Sequence, residues 1–304
     1  MTTKPVLQSA PNASPATREQ GREFLTGLDQ AAVAYLVLPL VIFLAGWVRL
    51  SFALPTILMI AYSLRHLAQR RQVNNSDSRA SSHTLVIVIV FSIAWVLLSG
   101  LTHQFFANSD WYVRDAVLHD LVASPWPVGY GSVSGKTFEL RAPLAYYLPA
   151  ALIGKVLGLS LAHYALFLWT LIGVIIFLLQ ALQITRSDPA RPLLTLSLIA
   201  AFSGMDIVGN LINIGPRFTA NWHITSHLEW WAGLYQYSAM TTQLFWVPNH
   251  ALAGWITIGI LGCNRNSKKL DEFLPLIFVA DFLWSPLTAI GLIPFFLLYI
   301  GSAG

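Results

Sequence analysis

The sequence predicts an all-α polytopic membrane protein, with about seven transmembrane helices and interfacial helices in two external loops. Three observations predict it. Of the 304 residues, 55% are hydrophobic and only 11% are charged, against roughly 25% charged in an ordinary soluble domain; the mean hydropathy is +0.60. The stretches 30–48, 50–64, 80–109, 156–185, 230–264 and 282–304 contain no Asp, Glu, Lys or Arg, and about 20 apolar residues cross a bilayer as a helix. Threaded through a membrane, the chain then gathers most of its basic residues on one side. With so little charge to coat a globule, a soluble enzyme, a disordered regulator and a nucleic-acid-binding domain do not fit. The net charge of +4 reports sidedness rather than nucleic acid. The single cysteine, Cys263, excludes an internal disulfide framework.

The elements follow in order. Residues 1–29 are polar and rich in Ala, Thr, Ser, Pro and Gln, which reads as a disordered cytosolic tail ahead of an uncleaved first helix. Residues 30–304 form a single transmembrane domain. Its spanning helices are expected at about 31–48, 50–65, 84–101, 161–183, 192–212, 247–262 and 273–300. The first two form a hairpin about the turn at Gly46–Arg49. The last is interrupted at Trp284-Ser285-Pro286 and reads as two half-helices.

The segment 143–158 (PLAYYLPAALIGKVLG) decides the topology. It is apolar but short, with Pro149, Gly154 and Lys155 inside it. If it spanned, the loop 184–191 would face outward and the positive-inside rule would fail. Lying along the interface, it leaves three loops inside: 65–83 with Arg65, Arg70, Arg71 and Arg79, 184–191 with Arg186 and Arg191, and 263–272 with Arg265, Lys268 and Lys269. With Lys4, Arg18 and Arg22 of the tail, twelve of the 18 basic residues are then cytosolic. The external loops are about 102–160 and 213–246. Their tryptophans (Trp111, Trp126, Trp222, Trp230, Trp231, Trp246) suit an interfacial belt, and some offer flat faces on which a sugar ring can stack.

The first external loop holds ANSDWYVRDAVLHDLVASPWPVGYG. Asn108, Ser109 or Asp110 can cap a helix starting at Trp111. On that helix Asp110 and Arg114 are four apart, as are Asp115 and His119. Spacing alone supports two readings: a capped, salt-bridged surface helix, or a general base beside a phosphate-binding cation.

Asp110-Trp111 after a membrane helix, followed by Pro143-Leu144-Ala145-Tyr146-Tyr147 at the start of a juxtamembrane helix, resembles the GT-C superfamily of membrane glycosyltransferases. The resemblance covers roughly residues 84–215, with an additional hairpin (31–65) ahead of it, and suggests a compact or truncated member. It implies a polyprenyl-phosphate-linked sugar as donor, a lipid or glycan as acceptor, and an active site on the outer, periplasmic face of a bacterial inner membrane, in the cell envelope. Asp110 is then the catalytic base. Arg114, Arg141 and Arg217, with Lys136, are the cations available to the phosphate. Asp115, His119, Tyr146 and Tyr147 would line the substrate site.

The second external loop carries His223 and His227, four apart, with Glu229 following. On a helix such histidines can share a metal, but the zinc-protease pattern puts Glu beside the first His, and position 224 is Ile. No metal ligand and no cofactor is therefore expected. His223, His227, Trp230, Asn249 and His250 are assigned to sugar or phosphate binding under the resemblance, and Glu229 is the second choice for acid–base work. Asp206, flanked by Gly204 and Gly209, joins them as an intramembrane acid. Asn249 and His250 can also cap the following helix. Two other functions stay open at this point: a transporter or flippase for a lipid-linked glycan, and a metallohydrolase built on His223, His227 and Glu229. A transporter would gather its polar groups at mid-bilayer, whereas most of these lie in the outer loops.

Overall fold

Long runs of Leu, Ile, Val and Phe leave the backbone as the chief polar group to be satisfied in an apolar solvent, and an α-helix satisfies it internally. The computed structural model describes residues 27–69, 81–105, 107–133, 136–185, 188, 191–202, 206–214, 229, 233, 238–265 and 268–302. In it the apolar runs are helices: α1 (Gly27–Trp47), α2 (Leu50–Gln69), α3 (Ser82–Leu98), α4 (Asp110–Ala123), α5 (Leu148–Leu157), α6 (Leu159–Ile184), α7 (Pro192–Ala201), α8 (Asp206–Ile214), α9 (Met240–Trp246), α10 (Pro248–Cys263), α11 (Leu274–Trp284) and α12 (Pro286–Ser302). Three of them, α1, α2 and α6, are long and apolar enough to cross a membrane; α3, α5, α7 and α12 are apolar but shorter.

α1 and α2 are an antiparallel hairpin. Gln30 Nε2 donates to the Leu67 carbonyl at 2.9 Å and closes its open end. α1 begins earlier than the charge-free stretch suggests. Asp29, expected in the tail, is 2% exposed in the first turn and accepts from Asn264 Nδ2 at 3.0 Å, and a carboxylate there also complements the helix dipole. Cys263 Sγ donates to the Gln180 carbonyl at 3.7 Å. The C-terminal ends of α6 and α10 therefore share one end of the bundle with Asp29. The opposite end, the loop end, is marked by Trp47 against Trp126 (ring centroids 4.8 Å apart) and by Trp111 Nε1 donating to the Ser99 carbonyl at 3.2 Å. Between the ends lies an aromatic stack: Tyr35 on Trp169 at 4.0 Å and on Trp284 at 5.5 Å.

Further details differ from the sequence reading. The element expected over 192–212 is two helices, because the chain leaves helical geometry at Phe202 (ψ 119°). The helix interrupted at Ser285-Pro286 folds back on itself. Phe278 and Phe296 have ring centroids 5.6 Å apart, whereas one straight helix would separate them by about 27 Å. The first loop contains two short antiparallel strands, β1 (Gly129–Val133) and β2 (Lys136–Glu139), a departure from a purely helical chain. The pairing of Asp115 also differs and is described with the site.

α5 has ten residues, about 15 Å of helix, half of a hydrocarbon core of about 30 Å. It packs on α4 and α6 through Gly154, where a Cβ would come within 2.6 Å of Ala162 and Val122 side-chain carbons. Gly158, at φ +90°, turns the chain directly into α6, a backbone angle glycine adopts without steric cost. By length it falls, like α7, among the apolar helices shorter than a membrane span.

Candidate functional site

The loop end is built from the turn after α3, helix α4, the segment before α5, and the first turns of α6 and α10. Asn108 starts α4. Its Oδ1 accepts the Asp110 N–H at 3.0 Å, while its Nδ2 donates to the Phe245 carbonyl at 2.7 Å, which ties α4 to α9. Ser109 makes no side-chain cap bond. Because Asn108 does the capping, the Asp110 carboxylate is left for other work. It is 45% exposed and accepts from Arg114 Nη2 at 3.3 Å. Arg114 is itself buried, with its guanidinium 5.5 Å from the Trp111 ring centroid. Its Nε has no hydrogen-bond partner among the described residues. Asp110 is thus the open half of an ion pair whose other half is packed under the surface.

The pairing expected between Asp115 and His119 does not form. His119 Nδ1 instead lies 3.1 Å from Asp120 Oδ1, and Tyr130 on β1 donates to Asp120 Oδ2 at 2.7 Å. That hydroxyl, followed by His119, holds the Asp120 carboxyl below the usual range. Asp115 faces the bundle. Its Oδ2 is 3.1 Å from His103 Nε2 and its Oδ1 is 3.9 Å from His163 Nδ1. The physical reason is position: α4 lies where the turn after α3 and the first turn of α6 meet, so two imidazoles reach Asp115 from elements remote in sequence. Neither His103 nor His163 was singled out by sequence reasoning. One signal was available, since His163 is the only histidine in the charge-free stretch 156–185, and an ionisable group there invites a functional reading.

Tyr146 and Tyr147 lie beneath this surface, both buried. Thr170 Oγ1 donates to the Leu166 carbonyl, so Tyr146 donates to Thr170, at 2.8 Å. Tyr147 packs edge-on against Tyr146, with centroids 5.0 Å apart and an interplanar angle of 79°. Burial pushes the Tyr147 hydroxyl up, the Arg114 charge opposes that, and the carboxylates of Asp115 and Asp110 add to it. These groups therefore share one electrostatic neighbourhood. His250 joins it, being within reach of the Arg114 charge; its Nδ1 is 2.8 Å from Ser285 Oγ at the α11–α12 break. The neighbouring Asn249 is buried, and its Oδ1 has no hydrogen-bond partner among the described residues. Pro248 opens α10, with Val247 at its cap position, so neither Asn249 nor His250 caps that helix.

The other expected residues are dispersed. Arg141 is exposed on the segment after β2. Asp206 heads α8, buried, and its carbonyl accepts from Asn210 Nδ2 at 2.8 Å. Glu229 is 2% exposed; Ser238 Oγ donates to its Oε2 at 2.7 Å and the Ala239 N–H to its Oε1 at 2.9 Å. Arg217, His223, His227 and Trp230 lie outside the described residues.

The arrangement presents a half-exposed carboxylate, a buried cation that orients it, and two imidazoles around a second carboxylate, all at one end of an apolar bundle. No protein-family model, no curated protein and no solved structure matches this chain.

Proposed function

We propose that this chain is a membrane glycosyltransferase that moves a sugar from a polyprenyl-phosphate-linked donor to a lipid or glycan acceptor at its loop end. One observation carries the reading: Asp110 is the accessible member of a pair whose buried partner, Arg114, keeps it in one orientation. A general base needs both accessibility and a fixed direction. Asp110 accepts the proton of the acceptor hydroxyl as that oxygen attacks the anomeric carbon; the bond from that carbon to the phosphate oxygen breaks, and the polyprenyl phosphate leaves with the electron pair. Exposed Arg141 and Lys136 are cations for the leaving phosphate. The lipid tail stays among the apolar side chains that the bundle exposes along its flanks, such as Val156 and Leu157 of α5.

The test is transfer from a radiolabelled polyprenyl-phosphate sugar by the full chain in proteoliposomes. Asp110→Asn lowers transfer by about 10²–10⁴-fold, the span usual for loss of a general base, while donor binding persists. Full activity in that variant overturns the assignment of the base.

The reading also places the loop end on the outer face. Single cysteines introduced in 65–83, 184–191 and 263–272, in a Cys263→Ser background, then stay unlabelled by an impermeant thiol reagent applied from outside. Labelling of 184–191 from outside would overturn this orientation.

A further inference from the structure

We infer that His103, Asp115 and His163 form a binding site for a divalent first-row transition metal, Zn²⁺ foremost. The three side chains come from the turn after α3, from α4 and from the first turn of α6, and one ligand atom from each lies within 4.8 Å of the others. His103 Nε2 is 3.1 Å from Asp115 Oδ2 and His163 Nδ1 is 3.9 Å from Asp115 Oδ1, so an imidazole nitrogen stands beside each carboxylate oxygen at a separation near the roughly 3.4 Å between ligand atoms of a tetrahedral ion with bonds of about 2.0–2.1 Å. Two imidazole nitrogens and one carboxylate oxygen suit zinc and its neighbours better than Mg²⁺ or Ca²⁺. Three protein ligands leave a fourth position for water or an oxyanion, the pattern of an open site rather than a closed structural one.

Two observations separate this cluster from a simple hydrogen-bonded pair. His163 Nδ1 is buried without a hydrogen-bond partner among the described residues, and at 3.9 Å from Asp115 Oδ1 it is beyond hydrogen-bond reach. An ion between them would occupy that nitrogen. His103, moreover, has φ +57°, a left-handed conformation that costs energy in any residue with a side chain and collects at functional sites. That conformation goes with an imidazole directed at Asp115. His103 and His163 also stand near edge-to-face, with centroids 5.9 Å apart and an interplanar angle of 74°.

The inference is independent of the glycosyltransferase reading, because metal is counted without substrate. The full chain, purified in detergent and stripped with a chelator, is titrated with Co²⁺ for its visible ligand-field bands, and dialysed against about 10 μM Zn²⁺ for stoichiometry by elemental analysis. One ion per chain is expected. Asp115→Asn and His163→Ala reduce it at least tenfold, and so does His103→Asn, which removes the imidazole while asparagine tolerates the left-handed backbone. His119→Ala, at the exposed pair nearby, leaves it unchanged. Zero ions in the wild-type chain overturns the site, as does uptake that survives His103→Asn in a protein of unchanged helix content.

Discussion

Two carboxylates compete for the acid–base role, and their surroundings differ. Glu229, just ahead of α9, is closed off: each oxygen accepts a hydrogen bond, one from Ser238 Oγ and one from the Ala239 N–H, and the side chain is 2% exposed. Asp110, at the head of α4, is nearly half exposed and held from below by Arg114. Both are acids in a loop at the margin of an apolar bundle. One is buried against local backbone and hydroxyl donors, and the other accepts from one guanidinium and stays open at the surface. The difference teaches that a carboxylate's role depends on which donors the fold brings to it, a property that residue type and loop position do not carry.

That contrast can be broken by mutation. The largest effect is expected at Asp110, where Asn takes away the proton acceptor and with it nearly all transfer. Its thermal stability falls by only about 1 kcal/mol or less, because the amide oxygen still accepts from Arg114. A variant that unfolds instead would make Asp110 a structural residue. Next comes Glu229. Glu229→Ala removes two hydrogen bonds to a charged acceptor, each worth about 1.5–3 kcal/mol, and lowers the melting midpoint in detergent by several degrees while the folded fraction keeps its transfer rate. Unchanged stability together with lost transfer would reverse the ranking of the two acids.

The smallest effect is expected at Asp120, a half-buried acid held by a tyrosine. Its folded pKa is depressed, so the bond contributes in full above the unfolded value of about 4 and is lost as pH falls through the lower folded value. On the alkaline side Asp120 pushes the Tyr130 hydroxyl up to about 12, so the contribution persists past the unfolded tyrosine pKa of about 10 and disappears as pH rises through the folded one. Tyr130→Phe therefore costs at most about 0.5 kcal/mol between those limits and nothing at strongly acidic pH. Unfolding midpoints measured from pH 3 to 8 give the comparison, and a variant deficit that grows toward pH 3 would contradict the sign.

Much of the helical framework is legible in composition. The helices expected at 31–48, 50–65, 84–101, 161–183, 247–262 and 273–300 match α1, α2, α3, α6, α10 and the α11–α12 region to within about four residues at each end, since an apolar solvent leaves few alternatives to helices. Short, Pro-bearing 143–158 is likewise visible as a segment apart. The strands β1 and β2 went unread because hydropathy, the dominant signal here, says nothing about a polar hairpin in a loop. The fold-back at Ser285 is invisible for a related reason: a proline marks a break without giving the angle across it.

At the site, the Asp110–Arg114 pair is readable because both residues sit on one helix, where a spacing of four places them side by side. Asp115 has the same spacing to His119, yet the fold gives it His103 and His163. Sequence spacing offers a neighbour, but α3, α4 and α6 meeting at one end of the bundle decides which neighbour is nearest. By itself, the sequence determined that this chain is helical and apolar enough for a membrane, and that one helix begins with an acid and a base four residues apart. Only the tertiary structure decided that two histidines flank Asp115, that Glu229 is closed off and that Asp110 is open. Those outcomes depend on packing between segments as many as 60 residues apart, as His103 and His163 are, a distance over which local periodicity carries no information.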